Sequence, residues 1–334
     1  MNKQHKERKT IKAAVYYKYG PPDVISIAEV EKPAPKDGEV LIQIKAASVN
    51  AYDWHLLRAK PFFTRGLSGL FKPKNNILGA DVSGIVEAVG SDVIKLKVGD
   101  EVFGCLESCG KGGLAVGGFA EYVCAKEAVL ATKSPALSFE EAAALPMASV
   151  TALQGLKQAG TAQGQSVLIN GASGGVGVFA VQIAKAIGAA VTGVCSTGSV
   201  EFVRSLGADT VIDYQNEAAV TDDKQYDIVI DVAATLSVND YRRAMKNGGR
   251  CVIIGFSTLG HMLGYSFAGK KDGKTIKLCM ANNKDGEVLL EINKLVEAGK
   301  LKVAIDSRYG LDETAEALRY AETWHPKGKV IIKR

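Results

Sequence analysis

The stretch "VLINGASGGVGVFAVQIAKAIG", residues 167–188, restricts the fold more than any other part of the chain. An apolar, β-branched run stops at Asn170. Gly171, Gly174, Gly175 and Gly177 follow, and a helical apolar pattern opens near Val176. Glycines at such a turn let the backbone reverse tightly and bring its amides close to an anion. The helix N-terminus adds unpaired N–H donors and a partial positive charge. Ala172 occupies the first position of the run, which therefore reads A-x-G-x-x-G. Placed after a strand and before a helix, it predicts dinucleotide binding rather than a packing turn. No Gly-Lys-Ser/Thr follows, which argues against a mononucleotide P-loop. Ser173, Gly174, Gly175, Val176 and Gly177 are the expected contacts to the cofactor's phosphates.

The sequence around this turn divides into two patterns. Before about residue 130, short β-branched runs such as "TIKAAVYYKYG", "EVLIQIKAASVN", "ADVSGIVEAVG" and "DEVFGCL" are separated by Gly, Pro and Asp signals, which predicts a compact all-β unit. From about residue 138 the period becomes helical in "SFEEAAALPMASVTALQGLKQAG", with Ser138 as N-cap and Glu140 and Glu141 in the first turn. Strands and helices then alternate through "SVLING", "AVTGVCS", "TVIDY", "YDIVIDVA" and "RCVIIGF". That alternation implies a parallel sheet wrapped by helices. A last strand, "GKVIIKR", is placed to return to the first unit's sheet. The apolar, aromatic and basic stretch 61–76 reads either as a surface loop with one packed side or as a lid over a hydrophobic substrate.

Cofactor choice turns on the end of the second strand of the alternation. An NAD site places Asp or Glu there to hold the ribose 2′-OH. This chain has Cys195, Ser196, Thr197, Gly198 and Ser199 instead, with no acid to repel a 2′-phosphate. Hydroxyls of Ser196, Thr197 and Ser199, flanked by Tyr214, favour NADP(H). Arg204 is the nearest cation in sequence and falls on the following helix.

Composition closes off other classes. The net charge is +5 from 41 Lys and Arg against 36 Asp and Glu, and part of the excess lies in the first twelve residues. That tail lacks the length and interleaved aromatics of a nucleic-acid surface. No apolar run approaches the about 20 residues of a membrane span. The six cysteines are scattered, several of them in apolar strands, as expected of reduced thiols in a cytoplasmic protein. Only Cys105 and Cys109 lie close together, too few for a zinc lobe. The Asp53-Trp54-His55 spacing in "VNAYDWHLLRA" raises, without deciding, the question of a metal or catalytic pair.

Taken together, "KPAPKDGEVLIQIKAASVNAYDWHLLRA", "GADVSGIVEAVGSDVIKLKVGDEVFG", "GGFAEYV", "AAALPMASVTALQGL", "NGASGGVG", "EFVRSLGADTVIDY" and "HPKGKVII" resemble the medium-chain dehydrogenase/reductase superfamily. The resemblance is to its zinc-free quinone oxidoreductase group, including reticulon-interacting and chloroplast-envelope homologues. It implies an α/β chain with a GroES-like β-barrel catalytic domain, residues 1–134 and 283–334, and a Rossmann doubly wound parallel-sheet domain, residues 135–282. It also implies a homodimer.

The same resemblance bears on the metal question. Zinc-dependent relatives carry Cys at the position of Asn50, His at Ala80 and Cys near Met147, so all three ligands are replaced. Asp53 and His55 are then expected to be supporting residues. Without a Lewis acid, hydride transfer to an electron-poor acceptor is easier than oxidation of an unactivated alcohol. Quinones and α,β-unsaturated carbonyl compounds fit as acceptors. The resemblance places Asn50 near the nicotinamide with its amide toward the acceptor carbonyl. Tyr52 is a further donor or a packing residue, and Thr151 a hydroxyl near the nicotinamide or a helix-internal Thr bonding its own backbone. Gly255 and Phe256 stand where the nicotinamide carboxamide is met, and Lys329 matches a recurrent Gly-Lys near the cofactor. A metal-free alcohol dehydrogenase and an NADP-binding structural or regulatory protein without turnover are the alternatives.

Overall fold

Apolar runs along the N-terminal strands leave most of their residues buried, and the strands assemble around one long strand. The computed structural model describes residues 9–60, 62, 64–106, 117–254, 264–265, 268–279 and 286–334. Glu39–Val49 lies at the centre of the first sheet, antiparallel to Asp81–Val89 on one side and to Lys329–Lys333 and Tyr122–Lys126 on the other. Glu101–Cys105 and Leu130–Thr132 extend the sheet beyond Asp81–Val89, and Ile305–Gly310 extends it beyond Lys329–Lys333. Thr10–Val15 and Ser26–Glu31 form a separate antiparallel hairpin.

The second sheet runs Thr210–Asp213, Ala190–Cys195, Ser166–Asn170, Tyr226–Asp231, Met245–Ile253, Lys274–Leu278. In chain order this is 3-2-1-4-5-6, all parallel, with a two-residue antiparallel edge at Lys270–Lys271. That order makes the carboxyl ends of the first and fourth strands a topological switch point, where doubly wound sheets bind ligands. The chain is thus α/β, a GroES-like sheet domain joined to a Rossmann sheet. Asn170 and Asp231 end those two strands, and Asn170 Nδ2 donates to Asp231 Oδ1 at 3.0 Å. The buried Asp231 carboxylate also accepts from Tyr241 Oη and Ala234 N, both at 2.7 Å, which locks the crevice edge.

The expected helix from residue 138 forms in two pieces, Phe139–Ala144 and Pro146–Ala159. Ser138 Oγ caps the first piece by accepting from Glu141 N, and the Glu141 carboxylate accepts from Ser138 N in return. Pro146 cannot donate to the preceding turn, so the axis breaks there and a fresh helix N-terminus is created. Leu130–Thr132, Lys274–Leu278, Ile305–Gly310 and the two-residue Lys270–Lys271 escaped the sequence reading; they are short, and Ile305–Gly310 carries Asp306, Ser307 and Arg308 in place of an apolar run.

The glycine turn has the close contacts its sequence requires. Gly171 has φ of +82°, in the left-handed region. A Cβ on Gly177 would lie 2.0 Å from the Gly171 carbonyl oxygen, so only glycine lets the helix Gly177–Ile187 start so near the strand. That helix buries Val178, Phe179, Val181 and Ile183 against the sheet. Replacing Gly177 with Ala is expected to cost about 1–3 kcal/mol through backbone overpacking, read from the urea unfolding midpoint.

Candidate active site

The strand pairing brings distant residues to one point. Val330 lies opposite Val49 in the antiparallel register, so Lys329 falls beside Asn50, at the N-cap of the helix Ala51–Arg58. The Lys329 side chain is only 3% exposed. Its Nζ donates to Asn50 Oδ1 and, at 3.3 Å, to the Val49 carbonyl. Asn50 Nδ2 donates to Asp81 Oδ2 at 3.0 Å and more weakly to the Ser48 carbonyl at 3.4 Å. The Asn50 amide is therefore committed to its protein neighbours, and the expected donation from it to an acceptor carbonyl has no support here. The charged group beside it is the Lys329 amine.

Two buried carboxylates hold this arrangement. Asp81 accepts from Met147 N at 3.2 Å through each oxygen, so it takes up a first-turn amide that the helix Pro146–Ala159 leaves unpaired. Asp53 accepts from Asn50 N at 2.8 Å and from Gly79 N at 3.0 Å, fixing the backbone on both sides of the cluster. Burial raises the Asp81 carboxyl, opposed by the Lys329 charge and the Asn50 amide. Burial likewise lowers Lys329, opposed by the charges of Asp81 and Asp53. Asp53 is pushed up to about 7, first by burial and also by Asp81, against its two backbone donors and Lys329.

Asp53 and His55 point in different directions. Residues i and i+2 of a helix do not face one another. Asp53 points inward, whereas His55 Nδ1 lies 2.8 Å from the Lys60 carbonyl and its ring packs on Trp54 with centroids 4.0 Å apart. Thr151 Oγ1 donates to the Met147 carbonyl at 2.6 Å, the bond of a helix-internal threonine. Tyr52 packs with the core of the first sheet. Among the described residues no three of His, Cys, Asp and Glu come together as a metal cage.

The glycine turn lies on the other side of Lys329. Gly328 N donates to the Ser173 carbonyl at 3.1 Å, and a Cβ on Gly175 would come within 3.4 Å of Lys329 Cδ. The space at the turn is therefore narrow, with a helix start behind it and a lysine stem alongside. Ser173, Gly174, Gly175, Val176 and Gly177 form this turn. Gly255 and Phe256 lie outside the described residues, as do Cys109 and Pro61 and Phe63 of the 61–76 stretch.

The loop after the second strand holds one surprise of each sign. Ser199 is buried and its N donates to the Ser196 carbonyl, while Tyr214 is 56% exposed. Thr197 Oγ1 donates to Asp213 Oδ2 at 2.6 Å, so an acid does stand at this loop, although outside the 195–199 window. Asn216 Nδ2 and the Gln215 amide also donate to Asp213, and these bonds hold its carboxyl below the ordinary range. Arg204 pairs with Glu201 on its own helix. The cation that reaches the loop is Lys327, whose Nζ donates to the Gly198 carbonyl at 2.6 Å. Asp81 and Lys327 are the site residues that sequence reading missed. Asp81 directly follows Ala80, and Lys327 precedes the Gly-Lys pair, but neither carries a local signature.

Comparison with known proteins agrees with this geometry. Residues 36–135 match the alcohol dehydrogenase GroES-like domain, and residues 206–332 match a zinc-binding dehydrogenase domain. A 2-methylene-furan-3-one reductase of Solanum lycopersicum is 37% identical over 96% of this chain and 79% of its own. The chain belongs to the quinone oxidoreductase group of the medium-chain dehydrogenase/reductase superfamily. A chloroplastic NADPH-dependent alkenal/one oxidoreductase of Arabidopsis thaliana is 33% identical over 97% of this chain and 80% of its own. The structure of a quinone oxidoreductase from Coxiella burnetii superposes with a TM-score of 0.86 at 32% identity, covering 98% of this chain and all of that one. Membership of this family supports a nicotinamide cofactor for the chain.

The Asp53 shift has a sign that can be measured. In the unfolded chain the carboxyl titrates near 4, and in the folded one at about 7, so the unfolded state loses its proton first as pH rises. Stability contributed at this position is full below about pH 4, falls through the window to about pH 7 and is level above. Asp53→Asn removes this titration. In urea unfolding across pH, the wild type's advantage over Asp53→Asn is expected to shrink from pH 4 to 7; an advantage that grows would refute the assignment.

Proposed function

We propose that this protein is an NADPH-dependent, zinc-independent reductase of α,β-unsaturated carbonyl compounds and quinones. The observation that carries the reading is the Lys329 amine seated on the Asn50 amide oxygen, in the place where zinc-dependent relatives have a thiolate ligand. The replacements at Asn50, Ala80 and Met147 remove a zinc set. Lys329 provides a protein-borne positive charge at the same end of the cleft. Names of relatives that act on alkenals, enones and quinones support the substrate class.

When bound, the nicotinamide supplies the hydride; the turn 173–177 would hold its phosphates, with Lys329 beside them. The chain's own residues then have three tasks. Lys329 faces the acceptor oxygen as negative charge builds on it, and a fixed charge in a buried site stabilises that charge without reorganising. Burial lowers its hold on the proton, which suits donation to an enolate. Asn50, Asp53 and Asp81 keep the amine in position, while Tyr52 is taken up by core packing and Thr151 by its own helix backbone. A conjugated acceptor needs no more than this, because its own π-system spreads the incoming charge.

NADPH rather than NADH is supported by the lack of an acid within residues 195–199 and by the Ser196 hydroxyl, with Tyr214 at the rim; the Thr197 hydroxyl is taken by Asp213 and Ser199 is buried. The buried thiols Cys105, Cys195, Cys251 and Cys279 suit a cytoplasmic setting, and the homodimer rests on the family resemblance alone. Among the described residues no helix is long and apolar enough to cross a membrane.

The test is anaerobic NADPH oxidation against parallel panels of enals, enones and quinones, with NADH as a control and metal analysis of the same sample. Turnover with conjugated acceptors is expected. Reduction of NADP by simple alcohols in its place would favour the metal-free alcohol dehydrogenase. NADPH binding without turnover across both panels would favour a regulatory protein, and stoichiometric zinc would overturn the zinc-free reading. Lys329→Met is expected to lower kcat by about 10²–10³-fold, as loss of one oxyanion-stabilising group does, with an unchanged circular dichroism spectrum.

A further inference from the structure

We infer that Lys327 is the residue that discriminates NADPH from NADH, by meeting the cofactor's 2′-phosphate at the mouth of the 196–199 loop. The inference rests on the reductase reading above and names the charge which that reading leaves unassigned.

Hydroxyls alone do not neutralise a phosphate dianion, and the loop's own charges have the wrong sign. Asp213 lies against Thr197, Glu201 follows on the next helix, and the one cation of that helix, Arg204, is paired with Glu201. A 2′-phosphate placed here by these residues alone would meet net negative charge. Lys327 changes the balance. It comes from the segment just before the last strand, on the far side of the cleft, and its Nζ reaches the Gly198 carbonyl at 2.6 Å. An ammonium has three N–H donors and Gly198 takes one.

Its placement is built rather than incidental. Lys327 N donates to Asp306 Oδ1 at 2.8 Å, and the next residue's amide donates to the Ser173 carbonyl in the phosphate turn. The backbone on both sides of the lysine is thereby tied, so the side chain is aimed along the loop. Gly198 offers open space, since a Cβ built on it would meet nothing within 4 Å. Asp213 stays ionised under its three donors, so the charge that offsets it at this loop has to come from Lys327. The phosphate would then displace or share the Gly198 bond and exchange a neutral carbonyl partner for a charged one, the stronger type of hydrogen bond.

The experiment uses the full chain and calorimetric binding of adenosine 2′,5′-bisphosphate against AMP, which differ only by the 2′-phosphate. Lys327 is exposed, so its replacement leaves the core untouched. The wild type is expected to prefer the bisphosphate. Lys327→Ala should cut that preference by about 10–100-fold, the usual worth of a hydrogen bond to a charged group. Lys327→Arg should retain most of it, and Arg204→Ala all of it. The ratio of kcat/KM for NADPH over NADH should follow the same order. If Lys327→Ala keeps the preference, or Arg204→Ala loses it, the inference is wrong while the NADPH reading stands. A wild type that binds AMP as tightly as the bisphosphate overturns the NADPH reading and this inference with it.

Discussion

Everything charged in the cleft depends on one pairing, the antiparallel ladder that sets Val330 opposite Val49. Side chains alternate along a strand, so a slip of one residue would turn Lys329 to the other face of the sheet and leave Asn50 and Asp81 without their partner. The ladder brings Lys329 to Asn50, 279 positions away in the chain. Few local signals specify it. Val330 and Ile332 pack into one hydrophobic cluster and Ile331 into another, so both faces of the strand are buried and hold the register. The hydrophobic core thus determines where the site's charge lies.

A buried lysine between two buried carboxylates would be costly if its members were unsatisfied. Here each polar atom has a role in the fold. Asp81 accepts the amide that a helix start leaves over, Asp53 accepts two loop amides, and Asn50 relays between lysine and carboxylate with its oxygen and nitrogen pointing opposite ways. The orientation of the Asn50 amide follows from its neighbours: an amine can only donate and a carboxylate can only accept. Removal of one member leaves another exposed to a low-dielectric interior. The cluster therefore behaves as one unit rather than as four separate contacts.

What could be read in the sequence was local. The turn 171–177 announces itself because backbone sterics demand glycine there, and the strand–helix alternation follows from residue periodicity. The missing zinc ligands could be read only by resemblance, since an Asn, an Ala and a Met carry no signal of what they replace. The divergence of Asp53 and His55 was available from helical geometry, because neighbours two apart point to different sides. Lys327, Asp213 and the inward turn of the Asn50 amide could not be read, because each depends on which segments meet across the cleft. Thr197 shows the limit well. Its hydroxyl looked available for a phosphate, yet a carboxylate eighteen residues beyond Cys195 already holds its proton.

The two halves of the molecule are tied at several separate points: the Met147 amide on Asp81, the Gly328 amide on Ser173, Lys327 Nζ on the Gly198 carbonyl, and Gln182 on both backbone groups of Lys302. Lys329 is next to one of these ties, and Asn50 is bonded to the residue that makes another. The distance between the amine and the phosphate turn is therefore set by backbone from both halves at once. Loss of any one tie leaves others to hold that distance, so the site's geometry is more robust to substitution at its edges than at its centre.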